Sequence, residues 1–142
     1  MEKIEQIIFY TLDKSIKTYR QLAQARLAEA RLGITVDQWL VMNVIREKPE
    51  ASQQEIAEKV FKDGASVTRI IELLVKKGFL KRNTAAADRR KSRLSISIKG
   101  KRLLASAEGV VRSYRRKALK DISEKDLEKV RSVLSRITRN CA

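Results

Sequence analysis

The sequence predicts a mainly α-helical protein with one small β-element, an α+β fold within a single domain of 142 residues. Helix-breaking residues are scarce, since the chain has five glycines and one proline, and this favours long uninterrupted helices. Apolar residues recur at helical spacing along most of the chain, whereas polar and apolar residues alternate strictly over Arg93–Ile98. Hydrophobic residues make up 43% of the chain, which is enough for a packed core.

The first predicted helix runs from about Glu2 to Arg31. A second helix is predicted to begin at Thr35, with Gln38 three residues later in a capping-box arrangement, and to end before Pro49. Its apolar residues, Trp39 among them, occur on nearly every side of the helix, so we expect this helix to be buried. The apolar face of the first helix comprises Ile4, Ile8, Leu12, Ile16, Tyr19, Ala23 and Leu27.

Two short helices are predicted next. Ser52 starts the first, where its hydroxyl can accept from the Glu55 amide while the Glu55 carboxylate reaches back to the Ser52 amide. Asp63 caps the second, which stops at Gly78. One side of this second helix is apolar, with Val67, Ile70, Ile71 and Leu74. The opposite side carries Ala65, Ser66, Thr68, Arg69, Glu72 and Lys76.

A β-hairpin is predicted over residues 79–98, with Leu94, Ile96 and Ile98 on one face of its second strand. Its tip is small and polar and then basic. After Gly100 a long helix resumes, and a last helix follows, capped by Ser123. The apolar residues of the last helix form a narrow seam at coiled-coil spacing, made of Leu127, Val130, Leu134 and Ile137.

Positive charge is concentrated in one segment. The chain carries 32 basic and 17 acidic residues, a net charge of +15, to which residues 1–80 contribute only +2. Residues 81–102 carry nine basic side chains and a single acid, Asp88, and contribute +8. Such a concentration indicates a surface that binds a polyanion, either a nucleic acid or an anionic membrane.

Several functional classes are disfavoured by composition. The chain has no His and one Cys, Cys141, so it cannot assemble a Cys/His zinc site, a His-dependent catalytic group or an intrachain disulfide. It shows no glycine-rich phosphate loop and no nucleophile–base pair, so neither an enzyme nor a cofactor is predicted. No apolar run is long enough to span a membrane, and the start of the chain is unlike a signal peptide. We therefore expect a soluble protein of the cytoplasm.

Two short helices joined by a tight turn and followed by a hairpin with a basic tip are typical of a winged helix-turn-helix. An α-helix fits the major groove of DNA, where base edges are distinguishable. Ser66, Thr68 and Arg69 could donate to phosphates or bases there, although helix capping explains the first two as well. The basic tip suits a minor groove, and Asp88 would orient a wing arginine, Arg90 or Arg93.

The order and spacing of several short motifs resemble the multiple-antibiotic-resistance regulator (MarR) family of bacterial and archaeal transcription factors. The motifs are Ile34–Trp39, Pro49, Ser52–Ala57, Ser66–Arg69, Lys77–Leu80, Asp88–Arg90 and Ile98–Gly100. The resemblance covers essentially the whole chain. It implies a two-fold symmetric dimer with N- and C-terminal dimerisation helices at residues 1–32 and 103–142. The winged helix-turn-helix then occupies residues 34–100, with its wing at 79–98.

The resemblance also implies contacts with double-stranded DNA at a pseudo-palindromic site. Ser66, Thr68 and Arg69 match groove or phosphate contacts, and Arg89 or Arg90 matches a minor-groove arginine that Asp88 supports. The full predicted set is Ser52, Gln53, Gln54, Ala65, Ser66, Thr68, Arg69, Lys76, Arg82, Arg89, Arg90, Lys91 and Arg93. The predicted dimer interface comprises Ile4, Ile8, Leu12, Leu127, Val130, Leu134 and Ile137. One departure is Phe61, at a turn where the family frequently has glycine.

The family commonly senses small phenolic or lipophilic ligands in a cleft between the dimerisation helices and the winged helix. Tyr10, Tyr19, Trp39 and Met42 could line such a cleft, but core packing explains them as well. Family members that sense peroxides share a Cys in the first helix, which this chain lacks.

The leading hypothesis is a homodimeric, sequence-specific transcription regulator, a repressor released by a small organic ligand. The alternative is an architectural protein that binds DNA or RNA with little sequence preference, since charge favours any phosphate contact. A membrane-surface module is a third hypothesis, but the basic segment lacks the apolar face of an interfacial helix, so no membrane partner is predicted.

Overall fold

The computed structural model describes residues 1–84 and 92–142. Over these residues it shows a mainly α-helical fold with one two-stranded sheet, as the sequence predicts. After a 3-10 turn at Ile4–Gln6, the elements are α1 (Ile8–Glu29), α2 (Val36–Glu47), α3 (Gln53–Val60), α4 (Gly64–Lys76), β1 (Leu80–Thr84), β2 (Ser92–Ile96), α5 (Ile98–Ala118) and α6 (Glu124–Cys141).

Capping residues begin the helices where the sequence predicts. The Thr35 hydroxyl accepts from the Gln38 amide, and the Gln38 side chain accepts from the Thr35 amide, so this capping box is confirmed. Ser52, Asp63 and Ser123 likewise accept from the amides of Glu55, Ser66 and Asp126.

The second half of the capping box predicted at Ser52 is absent. The Glu55 carboxylate accepts from the Lys48 ammonium and from the Ser52 hydroxyl, and not from the Ser52 amide. A charged ammonium is a stronger hydrogen-bond donor to a carboxylate than a neutral amide, which explains the preference.

Two predicted boundaries were wrong. The first helix is interrupted, because the Gln6 side chain accepts from the Lys3 amide and closes a separate 3-10 turn, after which Ile7 is extended. The predicted second strand continues to Ile98, but Ile98 begins α5 and its side chain is 67% exposed. Ser97 is the reason for the second error, since its hydroxyl caps α5 by accepting from the Gly100 amide. The strands of the hairpin therefore end at Ile96.

The hairpin is antiparallel, with Leu80 opposite Ile96 and Arg82 opposite Leu94. Leu80 and Leu94 are buried, so one face of the hairpin packs against the helices. The main core lies among α2, α3, α4, the hairpin and the first turns of α5. Six of its side chains have no exposed surface, namely Val41, Met42, Ile56, Val67, Ile71 and Leu74.

A second, smaller cluster joins α1 to α5. Ala23 and Leu27 of α1 pack with Val111 and Tyr114 of α5, and Tyr19 meets Tyr114 edge to face at 5.8 Å between ring centroids. By contrast, α6 has no buried residue. Within the described parts of the chain, none of the helices has both the length and the apolar character needed to cross a membrane.

The turn between α3 and α4 adopts a left-handed backbone without glycine. Phe61 lies there at φ 58° and ψ 43°, with its side chain 91% exposed. This conformation costs a residue with a Cβ atom about 1–2 kcal/mol relative to glycine. The turn therefore forms with Phe61 in a conformation that glycine would adopt at lower cost.

Gly100 lies where α5 crosses the start of the hairpin. A Cβ atom at this position would collide with the carbonyl oxygen of Phe79 and would lie 2.9 Å from Cγ2 of Ile96. The close packing of α5 on the hairpin therefore requires glycine at position 100.

We expect Gly100→Ala to lower the free energy of unfolding by about 2 kcal/mol, because the backbone of Phe79 must move to admit the methyl group. Gly109→Ala is the matched control in the same helix, where nothing lies within 4 Å of the added atom. That change should raise stability by about 1 kcal/mol through helix propensity. Urea denaturation at equal protein concentration measures both, and equal effects of the two changes would contradict the proposed close contact.

Candidate nucleic-acid interface

The orientation of α4 is set by its apolar side. Val67, Ile71 and Leu74 of this helix are completely buried against the rest of the core. Since residues three, four and seven positions apart share a helix face, the opposite side of α4 is turned to solvent. That side carries Ala65, Arg69, Glu72 and Lys76, and all four side chains are exposed.

The N-terminus of α4 is occupied by a side chain of its own. Asp63 accepts from the Ser66 amide at 2.8 Å and from the Ser66 hydroxyl at 2.7 Å. These two bonds, the amide bond first, hold the pKa of Asp63 below its usual value. The positive end of the helix dipole thus already faces a carboxylate, and the hydroxyl proton of Ser66 is engaged by Asp63. Arg69 reaches the same hydroxyl oxygen at 3.4 Å.

Gln53 and Thr68 link α3 to α4. The Gln53 amide nitrogen donates to the Thr68 hydroxyl at 3.0 Å, and that hydroxyl donates to the Gly64 carbonyl at 2.9 Å. These bonds position α4 against the start of α3. Ser52 caps α3, and Gln54 is exposed beside it. The structure therefore places the predicted contacts of α3 next to those of α4.

The predicted hairpin residues divide between the two faces of the sheet. Arg82 lies on the same face as buried Leu80, two residues earlier, but its own side chain is exposed. Arg93 lies opposite Asn83 on the other face. The structure does not bring these two arginines together. The tip residues Arg89, Arg90 and Lys91, predicted to contact DNA, and Asp88, predicted to support a wing arginine, lie outside the described residues, and these roles remain predictions.

An ion-pair junction connects α1 with the turn before α4. The Asp37 carboxylate, at the start of α2, lies 3.1 Å from the Arg20 guanidinium and 3.2 Å from the Lys62 ammonium. Partial burial of Asp37 raises the pKa of its carboxyl group, but the hydrogen bonds from Lys62 and Arg20 outweigh it, so the pKa lies below the ordinary value of 3.8. Sequence reasoning missed this junction because its members are separated by 17 and 25 positions along the chain.

A cleft of about 760 Å³ lies between α2 and α5. Its wall includes Trp39, whose ring centroid lies 5.6 Å from the guanidinium carbon of Arg115. Arginines dominate the charged residues at the cleft, with Arg46, Arg112, Arg115 and Arg116 against Glu47 and Glu108. Such a cleft has the size of a small-molecule site.

The predicted ligand residues are not brought together. Trp39 lines the cleft, but Met42 is completely buried in the core and cannot meet a ligand from solvent. Tyr19 packs on Tyr114 in the second cluster, and Tyr10 lies on the exposed first part of α1. A buried apolar residue and a pocket-lining residue look alike in sequence, which explains the difference. The signal that was missed is the group of arginines in α5.

The residues predicted for the dimer interface lie along two exposed apolar faces. Ile4 and Ile8 are 56% and 57% exposed, and Val130 of α6 is 50% exposed. Leu127, Val130 and Leu134 line a shallow groove along α6. Across residues 1–84 and 92–142, no cluster of three metal-ligating His, Cys, Asp or Glu side chains is present.

Known proteins resemble the chain in both sequence and fold. A sequence model of the MarR family matches residues 32–91. A protein of unknown function from Listeria innocua is 27% identical, with a TM-score of 0.72, over 94% of this chain and 91% of that one. MepR of S. aureus, solved as a DNA complex, is 17% identical, with a TM-score of 0.82, and the match covers 97% of this chain and 99% of that one. CouR of Rhodococcus jostii RHA1, bound to p-coumaroyl-CoA, is 19% identical, with a TM-score of 0.83, and the match covers 96% of this chain and 95% of that one.

We expect Asp37→Asn to lower the free energy of unfolding by about 1 kcal/mol at neutral pH, because the partly exposed junction loses its charge. The pKa of Asp37 is lowered in the folded state, so its contribution is complete above 3.8 and disappears as the pH falls through the folded-state pKa. The difference between the two proteins should therefore shrink in acid.

The matched control is Asp13→Asn, which breaks an exposed pair with Lys17 within α1 and should change stability little. Urea denaturation of the three proteins at neutral pH and at about pH 3 measures the effect. A stability difference that persists unchanged in acid would contradict the assignment.

Proposed function

Because the chain belongs to the MarR family of transcription regulators, we propose that it is a homodimeric repressor that binds a pseudo-palindromic site on double-stranded DNA. A small organic ligand would release it. The family consists of transcription regulators and not of enzymes, so the chain is not assigned an activity. In this proposal residues 34–100 bind DNA, with the wing at 79–98, and residues 1–32 and 103–142 form the dimer.

The observation that carries the proposal is the exposed polar side of α4. This helix is anchored by a completely buried side, and it presents Ala65 and Arg69 outward in its first two turns. A small residue next to an arginine allows close approach to base edges, and an arginine donates two hydrogen bonds to guanine in the major groove. The neighbouring segment 81–102 supplies a charge of +8 for phosphate contacts.

Two exposed apolar faces support a dimer. No residue of α6 is buried within one chain, yet Leu127, Val130, Leu134 and Ile137 lie on one side of it. Burying such a seam against a second chain contributes free energy in proportion to the apolar area covered. The first part of α1 exposes Ile4 and Ile8 in the same way.

The cleft between α2 and α5 supports release by a ligand. It lies between the winged helix and a helix of the proposed dimerisation region, so a molecule bound there contacts both. Its arginines and Trp39 favour a ligand that has an aromatic ring and a negative charge. Such a ligand acts only if it binds the DNA-competent and incompetent shapes with different affinity.

Selection of duplexes from a random pool tests the proposed function. The protein should enrich a two-fold symmetric sequence and bind it far more tightly than random duplex at moderate salt. Equal affinity for all duplexes would overturn the proposal and would favour the architectural alternative.

We expect Arg69→Ala to weaken binding to the selected duplex by at least about tenfold, because it removes a groove or phosphate contact. The same loss is expected for Arg90→Ala in the wing. Fluorescence anisotropy measures the affinity, and circular dichroism checks that the fold is unchanged. Arg46→Ala is the matched control, since it removes the same charge from the side of α2 that faces α5. An equal loss of affinity in the control would mean that Arg69 contributes only its positive charge and no specific contact.

Leu134→Asp should convert the dimer to monomers, because it places a charge within the apolar seam of α6. Ser132→Asp adds the same charge to the opposite side of the same helix and should leave the dimer intact. Sedimentation velocity at equal concentration separates the two forms. A Leu134→Asp protein that stays dimeric would exclude this seam as the interface.

A further inference from the structure

The exposed side of α4 contains one acidic residue. Ala65, Arg69, Glu72 and Lys76 follow each other at spacings of four, three and four residues, so they form a single line along the helix. All four are exposed, and the line lies opposite buried Val67 and Leu74. Glu72 therefore lies between two cations on the side of the helix that, under the proposed function, faces DNA.

Glu72 is not engaged in an ion pair among the described residues. The carboxylates of Glu55 and Asp37 are paired with cations, whereas that of Glu72 contacts neither Arg69 nor Lys76 within salt-bridge distance. Arg69 instead reaches the Ser66 hydroxyl. The acceptor positions of Glu72 are consequently available to a donor outside the chain.

A carboxylate on a DNA-facing surface distinguishes sharply between bases. It repels phosphates, and it can only accept hydrogen bonds. In the major groove guanine presents only acceptors and thymine an acceptor and a methyl group, while cytosine presents an amino donor. Adenine also has an amino group, but its neighbouring N7 acceptor repels a second carboxylate oxygen. Cytosine is therefore the base that suits Glu72.

We propose that Glu72 is a specificity-determining residue that accepts a hydrogen bond from the amino group of a cytosine in each half of the DNA site. This role rests on the proposed function. Arg69 and Glu72 are three residues apart, which is about 4.5 Å along the helix axis. Adjacent base pairs are about 3.4 Å apart, so the cytosine lies within one or two base pairs of the position that Arg69 contacts. The same carboxylate lowers the affinity for every sequence that lacks a donor at that position.

Glu72→Gln tests the proposal, because it keeps the shape of the side chain and removes its charge. Duplexes are selected from a random pool with both proteins, and affinities for the selected and a random duplex are then measured. The wild-type protein should require cytosine at one position in each half-site. In Glu72→Gln that position should change to adenine, which glutamine contacts through two hydrogen bonds. For this variant, the ratio of the affinity for the duplex selected by the wild-type protein to the affinity for the random duplex should fall about tenfold. Glu72→Ala should lose the cytosine preference without gaining another.

Glu58→Gln is the matched control, since it removes an exposed carboxylate from the side of α3 next to Phe61 and Lys59. It should leave the base preference unchanged. If Glu72→Gln raises the affinity for all duplexes equally and selects the wild-type sequence, Glu72 acts by charge alone and the proposal is overturned. If the wild-type protein selects no sequence at all, the proposed function itself fails.

Discussion

Val67, Ile71 and Leu74 have no exposed surface, and because they lie on one side of α4 their burial determines which side of that helix meets solvent. Burying each such side chain contributes about 1.5–3 kcal/mol, so a rotation of α4 that exposed them would be strongly unfavourable. Helices α2 and α3, the hairpin and the start of α5 supply the surfaces against which these residues pack. The chemistry of the outward side can therefore vary without moving the helix.

Hydrogen bonds within the protein then divide the polar side chains of α4 into two groups. Ser66 and Thr68 are engaged by Asp63 and Gln53, and they stabilise the start of the helix and its contact with α3. Arg69 and Lys76 extend into solvent from the same helix. Under the proposed function, recognition by this surface would depend mainly on charged side chains, whose interactions with DNA are strong and sensitive to salt.

Local features of the structure were predictable from sequence, and contacts between distant segments were not. Helix starts were predictable because a cap involves residues only three positions apart, as at Thr35, Ser52, Asp63 and Ser123. The alternating pattern extends to Ile98, but the Ser97 hydroxyl caps α5, so the strand ends at Ile96. The Asp37 junction joins α1, α2 and the turn before α4, and nothing near Asp37 in sequence indicates its partners. For Met42 the sequence left a pocket wall and core packing both open, because apolar character alone does not separate the two, and the structure buries it in the core.

Helix α5 joins the hairpin to the cluster on α1 without a break. Its first turn is held by Gly100 against Phe79 and by the Ser97 hydroxyl, which donates to the Gly78 carbonyl, and its later turns pack on α1 through Tyr114. From Ile98 to Tyr114 the helix is about 24 Å long. Over that length, a tilt of about 10° at Tyr114 would displace the hairpin end by about 4 Å, more than the rise of one base pair. Under the proposed function, a small tilt where α1 meets α5 would therefore cause a larger displacement of the hairpin relative to DNA.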